Sequence, residues 1–326
     1  MLILVKILAY SEIKGAIMKA FGIKAYGGPE NITELEVDQP EINDDEVLVE
    51  TRAEGINPFD WKIAEGMVQS WLKLTFPIIT NSDFAGIITK VGKNVQAFKL
   101  GDRVCGFTLT GASAQSIAAK PNRLALLPDN VDFVTGAGIP EASMTIWQGI
   151  FNHAHIIPGQ KVLIQGGAGG LGTFGIQLLH QIGATVYTTA STKNKDLLLS
   201  LGADQVIDYH TTNIKDVLHD IDVVFDTIGG DSVADDFAVL KPEGLLVSTL
   251  GAKADQLAKQ KHIRVIDESA DFNHLDLQPM VDLVANGKVK VIISQTFPFS
   301  VDGIRQAIKT SQSHHAVGKL IIDFDK

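Results

Sequence analysis

Short apolar runs separated by turn residues make up the first third of the chain. Val47–Thr51, Gly86–Lys90 and Arg103–Phe107 have the β-branched character of half-buried strands, punctuated at Gly27, Gly28 and Pro29, at Asn43 and Asp44, and at Gly101 and Asp102. This pattern predicts an antiparallel, barrel-like unit. From about residue 130 the rhythm changes. Lys161–Gln165 reads as a strand, a glycine turn follows, and Leu171–Ile182 has helical periodicity. A strand at Ala184–Thr189 and a helix at Lys195–Leu201 come next, then short apolar strands at Gln205–Ile207, Asp222–Phe225 and Gly244–Ser248 between helical stretches. Such alternation predicts βαβ units and a parallel sheet. The tail mixes both characters, with helices at Leu277–Ala285 and Val301–Ser311 and strands at Val291–Thr296 and Lys319–Phe324. A lone strand needs a partner sheet, so the tail is expected to fold back onto the first unit.

Composition narrows the classes. The 326 residues fit two domains or one large α/β unit, and 45% hydrophobic residues are ordinary for a globular chain. A formal charge of −10 leaves no electrostatic footprint for a nucleic-acid backbone or an anionic membrane, so neither partner is expected. The single cysteine, Cys105, excludes an internal disulfide and any multi-cysteine zinc site, and it fits a reducing, cytoplasmic setting. The apolar stretch Met1–Tyr10 is broken by Lys6 and is too short to span a bilayer. It also lacks the flanks of a secretory signal. Met18 opens a second plausible start, so residues 1–17 are read as an N-terminal extension.

The glycine turn carries the first chemistry. Gly166-Gly-Ala-Gly-Gly-Leu-Gly172 contains G-x-G-x-x-G at Gly167, Gly169 and Gly172, between a strand and a helix. In that context the first glycine makes a tight turn, the second admits a pyrophosphate, and the third lets helix and strand pack closely. The helix N-terminus adds free N–H donors and positive potential. Sites for NAD usually place Asp or Glu at the end of the second strand. Here Ala190 is followed by Ser191, Thr192, Lys193, Asn194 and Lys195, with no acid before Asp196. Hydroxyls and ammonium groups suit a 2′-phosphate, so NADP(H) is the expected cofactor; the same residues could also simply cap the next helix.

With the glycine loop in place, further strings resemble the medium-chain dehydrogenase/reductases, specifically their zinc-free quinone oxidoreductase and enone reductase branch, the zeta-crystallin-like proteins. They are Gly55-Ile-Asn-Pro-Phe-Asp-Trp-Lys62, Asp83-Phe-Ala-Gly86 with Val91-Gly92, and Phe98-Lys-Leu-Gly-Asp-Arg-Val104. Thr145-Ile-Trp147, Leu201-Gly-Ala-Asp204, Asp226-Thr-Ile-Gly229 and Gly318-Lys319 continue the series in the same order to the end of the chain. The resemblance implies a GroES-like β-barrel catalytic domain over 18–126 and 269–326, a Rossmann domain over 127–268, and a cleft between them. It also implies a cofactor lined by Thr145, Gly167, Ala168, Gly169, Gly170, Leu171, Gly172, Ser191, Thr192, Lys193, Lys195 and Tyr209. Asp226, Thr227, Thr249, Leu250, Gly251 and Lys319 complete that set, with Trp147 on the cofactor side. A homodimer is common in the family and is expected here.

Departures from the family matter as much. Its zinc alcohol dehydrogenases carry Cys and Gly-His-Glu as catalytic ligands and four close Cys for a structural metal. This chain has Asn57 and Ser82-Asp83 at the catalytic positions and no four-Cys segment. No metal is therefore expected, and His153 and His155 read as the end of a helix. Where many quinone reductases have Tyr, Lys62 stands, as it does in some enone reductases.

Without metal, the remaining chemistry is hydride transfer to an acceptor that is already electrophilic, a quinone or an α,β-unsaturated carbonyl. Negative charge then develops on the acceptor oxygen and needs a donor or cation. Asn57 (amide) and Lys62 (ammonium) are the candidates, with Asp60 holding Lys62; Asp60 and Lys62 could equally be a surface pair, and Asn57 could satisfy a buried turn. Two other readings stay open: a zinc-type alcohol dehydrogenase, and an NADPH-binding sensor or structural protein without meaningful turnover.

Overall fold

A computed structural model describes residues 17–252, 255–268 and 270–326. The expected N-terminal extension, except Ile17, lies outside these residues.

The first unit is antiparallel. It contains β1 (Ile17–Ile23), β2 (Ile32–Asp38), β3 (Val47–Ile56), helix α1 (Pro58–Ala64), β4 (Ile78–Ile79), β5 (Asp83–Val91), β6 (Arg103–Phe107), β7 (Ser116–Ala119) and β8 (Leu124–Leu126). A small sheet runs β2-β1-β4, and β3 sits inside a larger one with β5, β6 and β8 on one side and β7 pairing along its first half. Val47, Leu48 and Val49 are wholly buried on both faces, as a central strand requires.

Helices α2 (Phe133–Ala137) and α3 (Pro140–Trp147) lead into the second unit. There β9 (Lys161–Ile164), α4 (Gly170–Ile182), β10 (Thr185–Ala190), α5 (Lys195–Ser200), β11 (Gln205–Asp208), β12 (Ile221–Asp226), α6 (Ser232–Val239), β13 (Leu240–Ser248), α7 (Asp255–Lys261) and β14 (Arg264–Asp267) follow one another. The strands form a parallel sheet in the order β11-β10-β9-β12-β13-β14. Val162, Leu163 and Ile164 in β9 are fully buried because helices cover both faces. Reversal of the strand order beside β9 opens a crevice at the carboxyl edge, where parallel sheets bind ligands.

The tail returns, as its mixed pattern predicts. After α8 (His274–Ala285), strand β15 (Ile293–Pro298), helix α9 (Val301–Gln312) and strand β16 (Lys319–Asp323) complete the chain, and β15 and β16 extend the larger antiparallel sheet beyond β3. The chain is thus an α/β protein with a mostly antiparallel barrel-like unit and a doubly wound parallel sheet, as its sequence pattern leads one to expect. A backbone bond from Gly318 N–H to Ala168 O (2.8 Å) fastens the returning strand to the glycine turn. Among the described residues no helix is long and apolar enough to cross a membrane.

Candidate active site

Strand register assembles the site. β3 lies between β5 and β16, with Gly55 opposite Asp83 and Ile56 opposite Leu320. Asn57, Asp83 and Lys319 therefore converge where β3 runs into α1. Pro58 opens that helix with its φ already helical, and Asp60 Oδ2 accepts the Asn57 N–H (2.7 Å), half of a capping box. The Asn57 side chain turns to other partners. Its Nδ2 donates to Asp83 Oδ2 (2.9 Å) and more weakly to Ser82 Oγ (3.4 Å), while its Oδ1 accepts from the Lys319 ammonium.

The network closes around Ser82 and Glu141. Lys319 Nζ also lies 3.2 Å from Asp83 Oδ2, and Asp83 Oδ1 accepts the Glu141 N–H at 2.9 Å. Ser82 Oγ is 2.7 Å from Asp60 Oδ1 and 3.2 Å from Glu141 Oε2. Asn57, Asp60, Ser82, Asp83 and Lys319 are all buried, whereas Glu141 is partly exposed. Burial pushes the Asp60 carboxyl up to about 7 against the pull of Ser82 and the Asn57 N–H. Burial likewise raises Asp83 and, further assisted by the charges of Asp60 and Asp83, Glu141; Lys319 opposes both shifts. Lys62, half-buried on α1 with Nζ 5.7 Å from the Trp61 ring, is lowered by burial and partly restored by the charge of Glu141.

Three expectations are corrected here. Both Asn57 amide protons are engaged and the residue is only 2% exposed, so it has no donor for an acceptor molecule. Asp60 holds Asn57 and Ser82 rather than Lys62. Lys319, expected at the cofactor, directs its ammonium to Asn57 and Asp83, although its stem passes beside Gly170. Ser82, Asp83 and Glu141 were missed as site residues. The signal for the first two is a pair of polar residues opening an otherwise apolar strand; Glu141 gave none, because only tertiary packing brings it to Ser82 and Asp83.

Zinc does not fit this donor set. Zinc takes thiolate, imidazole or free carboxylate ligands. The carboxylates here are already bonded to an amide, a hydroxyl and an ammonium, and Lys319 places a cation among them. Among the described residues no group of three or more His, Cys, Asp or Glu is arranged to hold a metal. His153 sits in the π-helical turn Gln148–Ala154, with Nε2 3.0 Å from a Glu268 carboxylate oxygen, and His155 ends that turn at φ 50°. Cys105 is buried and its thiol is pushed well up by burial, so it is inert.

The nicotinamide dinucleotide does fit. A Cβ on Gly167 would collide with Thr188 Oγ1, and one on Gly172 with the Gly167 backbone, so these two glycines serve packing. A Cβ on Gly169 would meet nothing nearer than Gly166 O at 3.4 Å; its bareness leaves space for a ligand, not for the fold. Beyond it α4 begins at Gly170, with Leu171 and Gly172 in its first turn, where N–H groups lack helical partners. Ala168 contributes its carbonyl to Gly318.

Of the expected phosphate contacts, Ser191, Thr192, Lys193 and Lys195 follow β10 and Tyr209 follows neighbouring β11. Ser191 is partly exposed; Thr192, Lys193, Lys195 and Tyr209 are open to solvent. Asp208, at the end of neighbouring β11, accepts from Thr192 N–H (3.0 Å) and from its hydroxyl, which fixes the turn and holds the carboxyl below its usual range. At the crevice, Thr145, Leu171, Thr227, Thr249 and Glu268 line one wall-to-wall gap. Asp226 also borders this crevice, and it is fully buried, with Oδ1 accepting from Ile228 and Gly229 N–H (2.9 and 2.8 Å) and Oδ2 from Ser248 Oγ (3.2 Å). That bonding shapes the Thr227 turn and the neighbouring Thr249, Leu250 and Gly251 edge, where Gly251 has φ +77°. Trp147 packs against Phe151.

Known proteins share this fold and much of the sequence. Residues 43–165 match the alcohol dehydrogenase GroES-like domain family and residues 201–322 a family described as zinc-binding dehydrogenase. The chain is 33% identical over 317 residues to a chloroplastic NADPH-dependent alkenal/one oxidoreductase of Arabidopsis thaliana, covering 94% of this chain and 79% of that one. The chain belongs to the medium-chain dehydrogenase/reductase family. Within that family it is also 33% identical, over 94% of its length and 79% of the relative's, to the 2-methylene-furan-3-one reductase of Solanum lycopersicum. The structure of a quinone oxidoreductase from Coxiella burnetii superposes with a TM-score of 0.88 at 31% identity, over 94% of this chain and 99% of that one. This medium-chain dehydrogenase/reductase is an oxidoreductase enzyme.

Proposed function

We propose that the protein moves hydride from NADPH to a quinone or an α,β-unsaturated carbonyl without zinc. One observation carries the reading: the positions that hold metal in zinc relatives form a closed carboxylate–amide–ammonium network whose cation is Lys319. The reading also draws on relatives named for NADPH-dependent reduction of alkenals and for reduction of quinones.

When bound, the reduced nicotinamide supplies the hydride. The first turn of α4 and the bare Gly169 hold the pyrophosphate, and Ser191, Thr192, Lys193, Lys195 and Tyr209 receive the 2′-phosphate. Thr145, Thr227 and Thr249 orient the ring end. Orientation and exclusion of water lower the barrier by holding the reacting atoms in line. Asn57, Asp60, Asp83 and Lys319 fix the floor of the cleft. Lys62, the half-buried cation of α1, stabilises the negative oxygen and gives it a proton. A reducing compartment and a homodimer belong to the same proposal.

The test is loss of nicotinamide absorbance with NADPH or NADH, offered p-benzoquinone or methyl vinyl ketone after chelator treatment. Chelator-resistant turnover that prefers NADPH supports the reading, and the faster acceptor names the substrate class. Preference for NADH overturns the phosphate assignment; binding without turnover of either acceptor overturns the quinone or enone reductase reading.

A further inference from the structure

Parallel register sets three residues in a row across the carboxyl edge of the second sheet. Asp226 of β12 stands opposite Ser248 of β13, and Ser248 opposite Asp267 of β14, so Thr227, Thr249 and Glu268 come next on three neighbouring strands. All three line the crevice. The Glu268 N–H donates to Ser248 O (2.7 Å), which holds the chain in line beyond β14. The Glu268 side chain is only 1% exposed, yet among the described residues no hydrogen-bond donor is aligned on either of its oxygens. His153 Nε2, 3.0 Å from Oε2, makes an ion-pair contact. Burying a carboxyl without aligned donors is costly, so such a group marks a place where a ligand completes the bonding.

The rest of the crevice has the same polarity. The hydroxyls of Thr145 and Thr227 donate to Glu141 O and Gln165 O at 2.8 Å, and that of Thr249 to Asp226 O at 3.5 Å, so what they offer a ligand is lone pairs. Ile146, Leu171, Phe225 and Val247 add apolar surface. A wall of acceptors with a buried carboxyl suits a ligand that carries amide N–H groups or positive charge, and it repels phosphate. We propose that Glu268 is the charge partner of the nicotinamide end of the cofactor and binds the oxidised, cationic ring more tightly than the neutral, reduced ring. The proposal rests on the nicotinamide cofactor of the reading above. In a crevice withdrawn from water such an attraction is far stronger than in bulk solvent. Glu268 thereby adds to the driving force for hydride donation and slows release of the spent cofactor.

Burial pushes the Glu268 carboxyl up to about 7, so the group passes between acid and carboxylate near neutrality. The titratable groups around it are His153 of the π-helical turn, Asp267 before it on β14 and Asp226 on β12. Asp226 has both oxygens engaged by Ile228, Gly229 and Ser248, and Asp267 accepts the Ala252 N–H at 3.1 Å. Of these three only His153 can carry positive charge, and it stands partly exposed. Above about pH 7 Glu268 is charged and favours the oxidised ring; below it the neutral acid favours neither form. Binding of the oxidised cofactor therefore expels the Glu268 proton, and binding of the reduced one does not.

The measurement is the dissociation constant of NADP+ divided by that of NADPH, from tryptophan-fluorescence titrations at a series of pH values either side of neutrality. The 2′-phosphate titrates in both nucleotides and cancels in the ratio. In the unaltered chain the ratio is expected to fall about tenfold as pH rises through about 7, and in the uncharged isostere Glu268→Gln to stay flat. His153→Gln is expected to keep the fall. Calorimetry of the unaltered chain in two buffers of different ionisation enthalpy needs no variant; it is expected to show more proton release with NADP+ than with NADPH. A flat ratio in the unaltered chain, equal proton release, or a fall that survives Glu268→Gln or is lost in His153→Gln overturns the proposal, while NADPH binding leaves the cofactor reading in place. Binding of neither nucleotide removes that reading and the proposal with it.

Discussion

Lys319 and Asp83 stand 236 residues apart in sequence, yet Nζ and Oδ2 approach to 3.2 Å with both side chains withdrawn from water. A desolvated pair adds little over an apolar pair of the same shape, but removing one partner strands the other. Lys319→Met is therefore expected to lower the unfolding free energy by about 3–5 kcal/mol at mildly alkaline pH, read by urea denaturation. The deficit should shrink as pH falls, because a protonated Asp83 no longer needs the cation. A constant deficit would show that lost packing, not stranded charge, is responsible.

Buried carboxyls set the pH dependence of stability. Burial raises Glu54 to about 8 against its bonds to Ser113 and Asn81, and raises Asp60 and Asp236 to about 7. Each folded-state value lies above the unfolded one, so the native chain binds extra protons in the window between them. Stability is then greatest on the acid side of that window and falls as pH rises through about 7 to 8. Glu54→Gln keeps the shape without the charge. It should flatten the decline by up to about 1.4 kcal/mol per pH unit, measured as unfolding free energy from about pH 5 to pH 8. Equal slopes in both proteins would remove Glu54 as the source.

The glycines of the turn separate into two roles. Gly172→Ala sets a methyl against the Gly167 backbone and should cost about 1–3 kcal/mol in the apoprotein. Gly169→Ala meets only ordinary contacts at a φ of −75° that alanine adopts freely, so its melting temperature should not move. The same change should weaken NADPH binding at least about tenfold, about 1.4 kcal/mol, in a fluorescence titration. Tight binding by that variant would place the pyrophosphate elsewhere.

Lys62→Met tests the proton donor. Loss of the ammonium should reduce kcat by about 10²- to 10⁴-fold while the dissociation constant for NADPH stays put. The half-exposed side chain makes little of the fold, so melting temperature provides the control. Normal turnover by Lys62→Met would transfer the donor's role to another group.

What could be read from the residues in order was whatever local physics decides. The strand, glycine turn and helix from Lys161 to Ile182 follow from apolar runs and one bare turn, and the alternation after it implies a parallel sheet. The start of α1 at Asn57, Pro58 and Asp60 went unread, although its cap is a contact between near neighbours. The tail's return to the first sheet was legible as well, since isolated strands do not persist.

Partners of the side chains were not legible. Nothing near Asn57 says that its amide is consumed by Asp83 and Ser82, or that Asp226 serves its own loop. Glu141 looks like an ordinary first-turn acid until α3 packs over Ser82. The sequence by itself determined the order of elements, the cofactor turn and the types of residue offered to the cleft, since these depend on spacings of a few residues. Only the tertiary structure decided which acid meets which donor. The register of β3 between β5 and β16 joins positions hundreds of residues apart, and burial there turns ordinary carboxyls into a single charge-coupled network.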